Sequence, residues 1–375
     1  MKFVKASTLY NDGKVLRNVY IVFDKGRIIE VTKNKPDGEL ISEGFVTPAF
    51  IDAHSHIGMA RAGEPSNEDE ANEHMDPIYP LVNALHSVYM DDAAFRDSVE
   101  NNVLYSVVLP GSGNPIGGKA VLLRTFASNI KDAYVKDIGI KTALGYNPRS
   151  TKDWEGKRPS TRMGAIALLR EHFIKARKLL SLIEAGKKVQ DEVEPLDEVF
   201  MRILKGEDRL MTHLHREDDA YVLMSMMDEF GFKAIVNHGM DFYRPEVLKE
   251  MKARNIPLIY GPLDSHPYKV ELKHESWRNC KLIMDSGVKF CMMSDHPVIL
   301  QRNLFLTMRH FLKFGMSREE AITKLTREPA EILGLPDLGT ISEGKLASFT
   351  VWNKDPFEID AQPSAIVAEG NMIGP

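Results

Sequence analysis

The 375-residue chain is 43% apolar and 27% charged, with a net charge of −5 and a pI near 6.2. That length suits a large barrel plus an accessory layer, and the acidic balance excludes a general nucleic-acid binder, which carries a basic excess. The opening MKFVKASTLYNDGK has no apolar leader, and no stretch reaches the ~18 uninterrupted apolar residues of a membrane span. A cytoplasmic protein with neither membrane nor nucleic-acid partner is expected.

In chain order, the first 35 or so residues read as antiparallel strands. Asn11-Asp12-Gly13 and Asp24-Lys25-Gly26 are turn signals, and Val19, Ile21 and Phe23 stand at alternating positions. A similar pattern returns only at the far end, in Gly339–Ile341 and Phe349–Trp352. Residues 1–47 and 339–375 are therefore expected to pair as one small β domain, with 48–338 as a separate body. That middle repeats short apolar runs at Tyr105–Leu109, Lys141–Leu144, Leu210–His213, Ala234–His238, Pro257–Tyr260 and Val288–Ser294. Helical spacing lies between them, at Met163–Ala185, Tyr243–Arg254 and Asn303–Phe314. Strand–helix alternation at this length predicts an α/β fold, a parallel (β/α)8 TIM barrel. Lys187–Glu198 reads as a solvated connection. Cys280 and Cys291 are too few for a disulfide framework and read as buried small hydrophobes in a reducing compartment.

The chemistry concentrates at strand ends. His54 and His56 stand two apart, so a strand presents both imidazoles to one side; they are metal ligands or two ordinary histidines. His213 and His215, His238, and Asp295 each follow a later apolar run. In a parallel barrel those ends converge on one face, and neutral imidazoles with a carboxylate suit a divalent cation. Gly111, Gly113, Gly117 and Gly118 form a loop that lacks the Gly-Lys-Ser/Thr ending of a phosphate loop. Arg158 and Arg162 flank a helix start that Ser160 or Thr161 can cap. Arg162 offers a planar fork for a substrate carboxylate, or an ordinary ion pair. His266 follows Gly261-Pro262-Leu263 at a strand end, where it would face substrate. His74, His86, His172, His274 and His310 read as structural or surface residues.

Pro48-Ala49-Phe50-Ile51-Asp52-Ala53-His54-Ser55-His56 resembles the first-strand motif of the amidohydrolase superfamily, and the later His, His and Asp follow that superfamily's order. Pro110–Gly118, Arg158–Gly164, His213–Asp219 and Ser294–Val298 are similar to a subgroup related to imidazolonepropionase. The resemblance implies a barrel with a composite β-sandwich from both termini. It also implies one or two divalent ions, zinc first, on His54, His56, His213, His238 and Asp295, with His215 left to hold substrate or support a ligand. Binuclear members supply a bridging carboxylate or carboxylated lysine from a middle strand. Here Tyr146 takes that seat. A phenol stays protonated to about pH 10 and bridges poorly, so Tyr146 is expected to face substrate. Lys119 is the candidate carboxylated lysine, or else a surface lysine. Lys345-Leu346-Ala347-Ser348 also departs from the acidic residues usual there.

The implied reaction is hydrolysis of an amide or cyclic amide of a small molecule. The ion makes hydroxide available near neutral pH, Asp295 orients water and passes its proton to the leaving nitrogen, and His238 helps polarise the carbonyl. Deamination of a nitrogen heterocycle would use the same groups. A non-catalytic barrel scaffold is the reading that Tyr146 keeps open. A homo-oligomer is expected by family analogy.

Overall fold

The computed structural model describes residues 1–149 and 158–374. Four strands open the chain: β1 (Lys2–Asn11), β2 (Lys14–Asp24), β3 (Arg27–Thr32) and β4 (Glu39–Pro48). Eight follow: β5 (Phe50–Ser55), β6 (Val103–Val108), β7 (Ile116–Arg124), β8 (Tyr134–Ala143), β9 (Leu210–Leu214), β10 (Ala234–His238), β11 (Leu258–Tyr260) and β12 (Phe290–Met292). Three close it: β13 (Phe349–Trp352), β14 (Pro363–Ala368) and β15 (Asn371–Met372).

The two ends of the chain share one seven-stranded sheet, ordered β15-β14-β13-β4-β1-β2-β3. Although β2 and β13 are three strands apart, Phe23 and Phe349 meet edge to face with centroids 5.5 Å apart. The sheet thus curls to enclose its own apolar core of Val4, Ile21, Val46 and Val351, as the two layers of a sandwich would. The chain passes from β4 into β5 through Ala49 alone. Buried Asn102 pins the junction: its amide donates to Thr47 Oγ1 (3.1 Å) and accepts from Thr350 Oγ1 (2.7 Å).

Strands β5 to β12 form the second sheet in sequential order. Its ends close through backbone bonds from Asp295 N to His54 O (3.0 Å) and from His56 N to His296 O (2.9 Å). This is the expected barrel, with one departure. β7 runs antiparallel to both β6 and β8. The links on either side, residues 109–115 and 125–133, are too short for the crossover of a dozen or more residues that a parallel return needs. The glycine-rich stretch is therefore a hairpin link. Gly111 is required there, because a Cβ would sit 2.4 Å from the amide of Asn72.

The helix Arg162–Glu184 matches the expected Met163–Ala185, and Thr161 caps it by accepting from Gly164 N (3.1 Å). Asn303–Phe314 instead breaks into short 3-10 turns and the single helical turn Arg309–Leu312. The main core lies between barrel and helices, where Phe173 packs against Phe200, Phe230 and Phe232. Cys280 and Cys291 are buried and free. No helix among the described residues is long and apolar enough to cross a membrane.

Candidate metal centre

The C-terminal ends of β5, β9, β10 and β12 bring five imidazoles and one carboxylate together. His54 Nε2 and His56 Nε2 lie 3.2 and 3.4 Å from Asp295 Oδ1. The ring of His238 stands 4.9 Å from His54, 4.2 Å from His213 and 4.9 Å from His215, centroid to centroid. Two overlapping donor sets result, each with atoms within 4.8 Å of one another: His213, His215 and His238, and His54, His238 and Asp295. His213 and His215 thus both offer a nitrogen beside His238, whereas sequence reasoning favoured His213 alone.

Strand periodicity explains part of this convergence. In β9, Met211 and His213 face the barrel interior while Leu210 and Leu214 pack outward against helices. In β10, Ile235 and Asn237 face inward, so strict alternation would turn His238 away. Its backbone is left-handed (φ 79°), which re-aims the ring into the mouth; Asp295 at the end of β12 has φ 54°. Such conformations are uncommon outside glycine and cluster where a site demands them.

Hydrogen bonds fix the rings. His54 Nδ1 faces Asn237 Oδ1 (3.1 Å), His56 Nδ1 faces Leu109 O (2.7 Å) and His238 Nδ1 faces Gly261 O (3.0 Å). Each acceptor places the proton on Nδ1 and leaves Nε2 a bare lone pair. The Nε2 atoms of His54 and His56 then approach a carboxylate oxygen with no hydrogen between, two acceptors face to face. Both ring nitrogens of His213, Nδ1 of His215 and Nε2 of His238 are buried without a hydrogen-bond partner. Buried polar atoms are normally satisfied, and a cation would take up one lone pair from each of these rings, which is all that a neutral imidazole offers. The donor set, imidazole with one carboxylate, is that of zinc and similar ions.

Electrostatics agree. Burial pulls His54 down to about 4 and holds His213, His215 and His238 well below the ordinary histidine value, so all four are neutral near pH 7. Burial opposes the charge of Asp295, while His238, His54 and His56, when they carry a proton towards it, pull the carboxyl well below its usual range.

The middle-strand residue is Lys141, which the sequence reading passed over in favour of Lys119. Lys119 pairs across the sheet with Ile140, which faces the helix layer. Cross-strand partners share a face, so Lys119 points outward, where Nζ binds Asp137 (3.1 Å). Lys141, one residue on, pairs with Met211 on the inner face. It is fully buried, with Nζ 3.5 Å from His54 Nε2. Burial brings its amine down to about 7, against the opposing pull of Asp295. A lone lysine in the apolar run Ile138–Leu144 was the available signal.

Three expected substrate contacts are not among the residues lining the cavity that opens onto the cluster. Tyr146 sits beyond the end of β8, where its backbone N–H donates to Glu271 Oε2 (2.8 Å). Arg162 spends its guanidinium on Asp219 Oδ1 (2.8 Å from Nε). His266 is exposed. The supporting residues missed from sequence are Asn237 and Asp52. Buried Asp52 accepts from Ser294 N (3.0 Å), the Ser294 hydroxyl and Gln301 Nε2 (2.7 Å), lacing the first strand to the last.

A cavity of about 260 Å³ opens onto this cluster, and His56, His213, His215 and Asp295 line it. Comparison with known proteins places the arrangement. The amidohydrolase family model matches residues 186–373. The chain is 29% identical to an amidohydrolase from Thermotoga maritima MSB8 of known structure, with full coverage of both chains and a TM-score of 0.92. An amidohydrolase of Hapsidospora irregularis, tasK, is 25% identical over 93% of this chain, which spans 39% of that longer protein. Likeness of fold extends to a Xaa-Pro dipeptidase with bound methionine (14% identity, 99% of each chain, TM-score 0.61). It also reaches a mutant of atrazine chlorohydrolase TrzN from Arthrobacter aurescens TC1 complexed with zinc and atraton (15% identity, 99% and 95% of the chains, TM-score 0.55).

Proposed function

The chain belongs to the amidohydrolase family, and from that premise we propose that it hydrolyses a C–N bond of a small amide or cyclic amide with the help of a divalent metal, zinc first. The observation that carries this reading is the cluster at the barrel mouth, where nitrogens of His213, His215 and His238 are buried without partners and Nε2 of His54 and of His56 face the Asp295 carboxylate. His54, His56, His238 and Asp295, with His213 and His215, would hold one or two ions. Lys141 stands at the middle-strand position from which family members supply a bridging carboxylated lysine, in place of Lys119. A bound divalent ion supplies Lewis acidity, acidifying water and polarising a carbonyl.

The remaining work falls to the chain. Asp295, at the open mouth of the barrel, orients the attacking water, accepts its proton and returns it to the departing nitrogen. The neutral rings donate from Nδ1 to Asn237, Leu109 and Gly261 and so keep their lone pairs directed inward. The small cavity limits substrate size.

Elemental analysis of purified protein and an assay of Asp295→Asn on a panel of N-acyl amino acids and lactams test the reading. At least one divalent ion per chain is expected, with a rate loss of about 10²- to 10⁴-fold in the variant while the ion is retained. Near-normal turnover in Asp295→Asn, or metal-free protein that added zinc does not stabilise, would reject it. Release of ammonia from an amino-substituted nitrogen heterocycle, with oxygen taking the place of the amino group and the ring kept, would point to deamination instead.

A further inference from the structure

We infer that the substrate carries a free carboxylate and that Lys269 binds it, a conclusion that rests on the hydrolase reading for its site but on different residues. Lys269 lines the same cavity as His213, His215 and Asp295 and is half-buried. Among the described residues no carboxylate oxygen lies within 4.0 Å of its ammonium. Asp69 and Glu275, which line the same space, form no ion pair with it, and neither does Glu271, two residues on. Other candidates for the role are already engaged: Arg162 by Asp219, Arg244 by Glu217 and Arg309 by Asp264.

A half-buried cation without a counter-ion normally shifts, pairs or marks a binding site. Its charge reaches the donors themselves, adding to what burial does in lowering His213, His215 and Lys141. A metal in the same cavity would add more positive charge, and an anionic substrate relieves it. One ammonium balances one negative charge, which matches a carboxylate. A second observation points to an amide nearby: Oδ1 of buried Asn147 lines this cavity without a partner and can accept a substrate N–H. At about 260 Å³ the cavity lies below the ~300–1,000 Å³ of drug-sized ligand pockets, so the ligand is small. Together these features select an N-acyl amino acid or a lactam bearing a carboxylate.

The test uses zinc-loaded full-length protein and matched pairs of N-acetyl amino acids and their carboxamides, with affinities taken from calorimetric titration. Wild type should bind the acids about 10- to 100-fold tighter than the amides, the range of a hydrogen-bonded charge. Lys269→Met should abolish that preference and Lys269→Arg keep most of it, with carboxamide affinities equal in all three. Lys269→Gln serves if the methionine variant does not fold. A preference that survives in the uncharged variant, or wild type that binds no acid more tightly than its amide, overturns the inference. Hydrolysis followed in the same samples separates the two readings. A Lys269-dependent preference without product leaves this inference standing and rejects the hydrolase. Product formed without the preference does the reverse.

Discussion

Replacing Asn237 with leucine should weaken metal binding while sparing the fold. Asn237 and His54 are both fully buried, and Asn237 Oδ1 is the acceptor that holds the His54 proton on Nδ1 at 3.1 Å. The other end of the amide makes only a long contact, 3.4 Å to Ile235 O. In Asn237→Leu the branching of the side chain is conserved, but a buried N–H loses its partner, a cost of ~1–3 kcal/mol if the tautomer stays. The imidazole can escape that cost by moving its proton to Nε2, where Asp295 Oδ1 waits at 3.2 Å. The metal-free protein then recovers a good hydrogen bond, and its denaturation midpoint should change little. Metal binding must reverse the shift, and affinity should fall by the ~10- to 100-fold typical of lost supporting contacts, or ~1.4–2.7 kcal/mol. Competition for zinc against a chromogenic chelator measures this directly. Asn237→Asp, which keeps an acceptor, should bind at least as tightly as wild type. The reasoning fails if Asn237→Leu binds zinc within twofold of wild type, or if its whole effect appears as lost stability without metal.

Two further outcomes follow from buried groups away from that bond. Glu271 is pushed up to about 7 by burial, with the charge of Lys269 opposing. The folded state therefore holds its proton more tightly than the unfolded chain, and this contribution to stability is complete below about pH 4.5 and lost as pH rises to about 7. Urea midpoints at pH 5 and 8 should show a decline on the order of 3 kcal/mol in wild type beyond that in Glu271→Gln; parallel curves would contradict it. For the two lysines, elemental analysis should find Lys141→Met depleted of metal without loss of stability, since burial already disfavours its charge, and Lys119→Met unchanged. The opposite pattern would return Lys119 to the site.

The positions of the candidate ligands were legible because they obey local rules. His54 and His56, like His213 and His215, sit at even spacing at the end of apolar runs, and a parallel barrel gathers such ends on one face. Turn signals and alternation at both termini likewise announced strands that could pair with each other. The antiparallel β7 was not legible in the same way. Its direction follows from the shortness of two links, and its start lies inside the glycine-rich stretch, which carries no strand signal.

What tertiary structure alone decided is which face and which partner. Lys119 and Lys141 both lie in extended segments, and periodicity relates residues within a strand without saying which side is inward. Only the pairing of Lys119 with Ile140 and of Lys141 with Met211 assigns one lysine to the surface and the other to the histidines. Arg162 and Lys269 differ in the same way: Asp219, 57 residues along the chain, neutralises the first, and no carboxylate among the described residues lies within ion-pair reach of the second. Chemistry by type is a property of the residue, so the sequence determined which cations and ligands were available; their accessibility is a property of long-range packing, so the fold determined which of them remain to act.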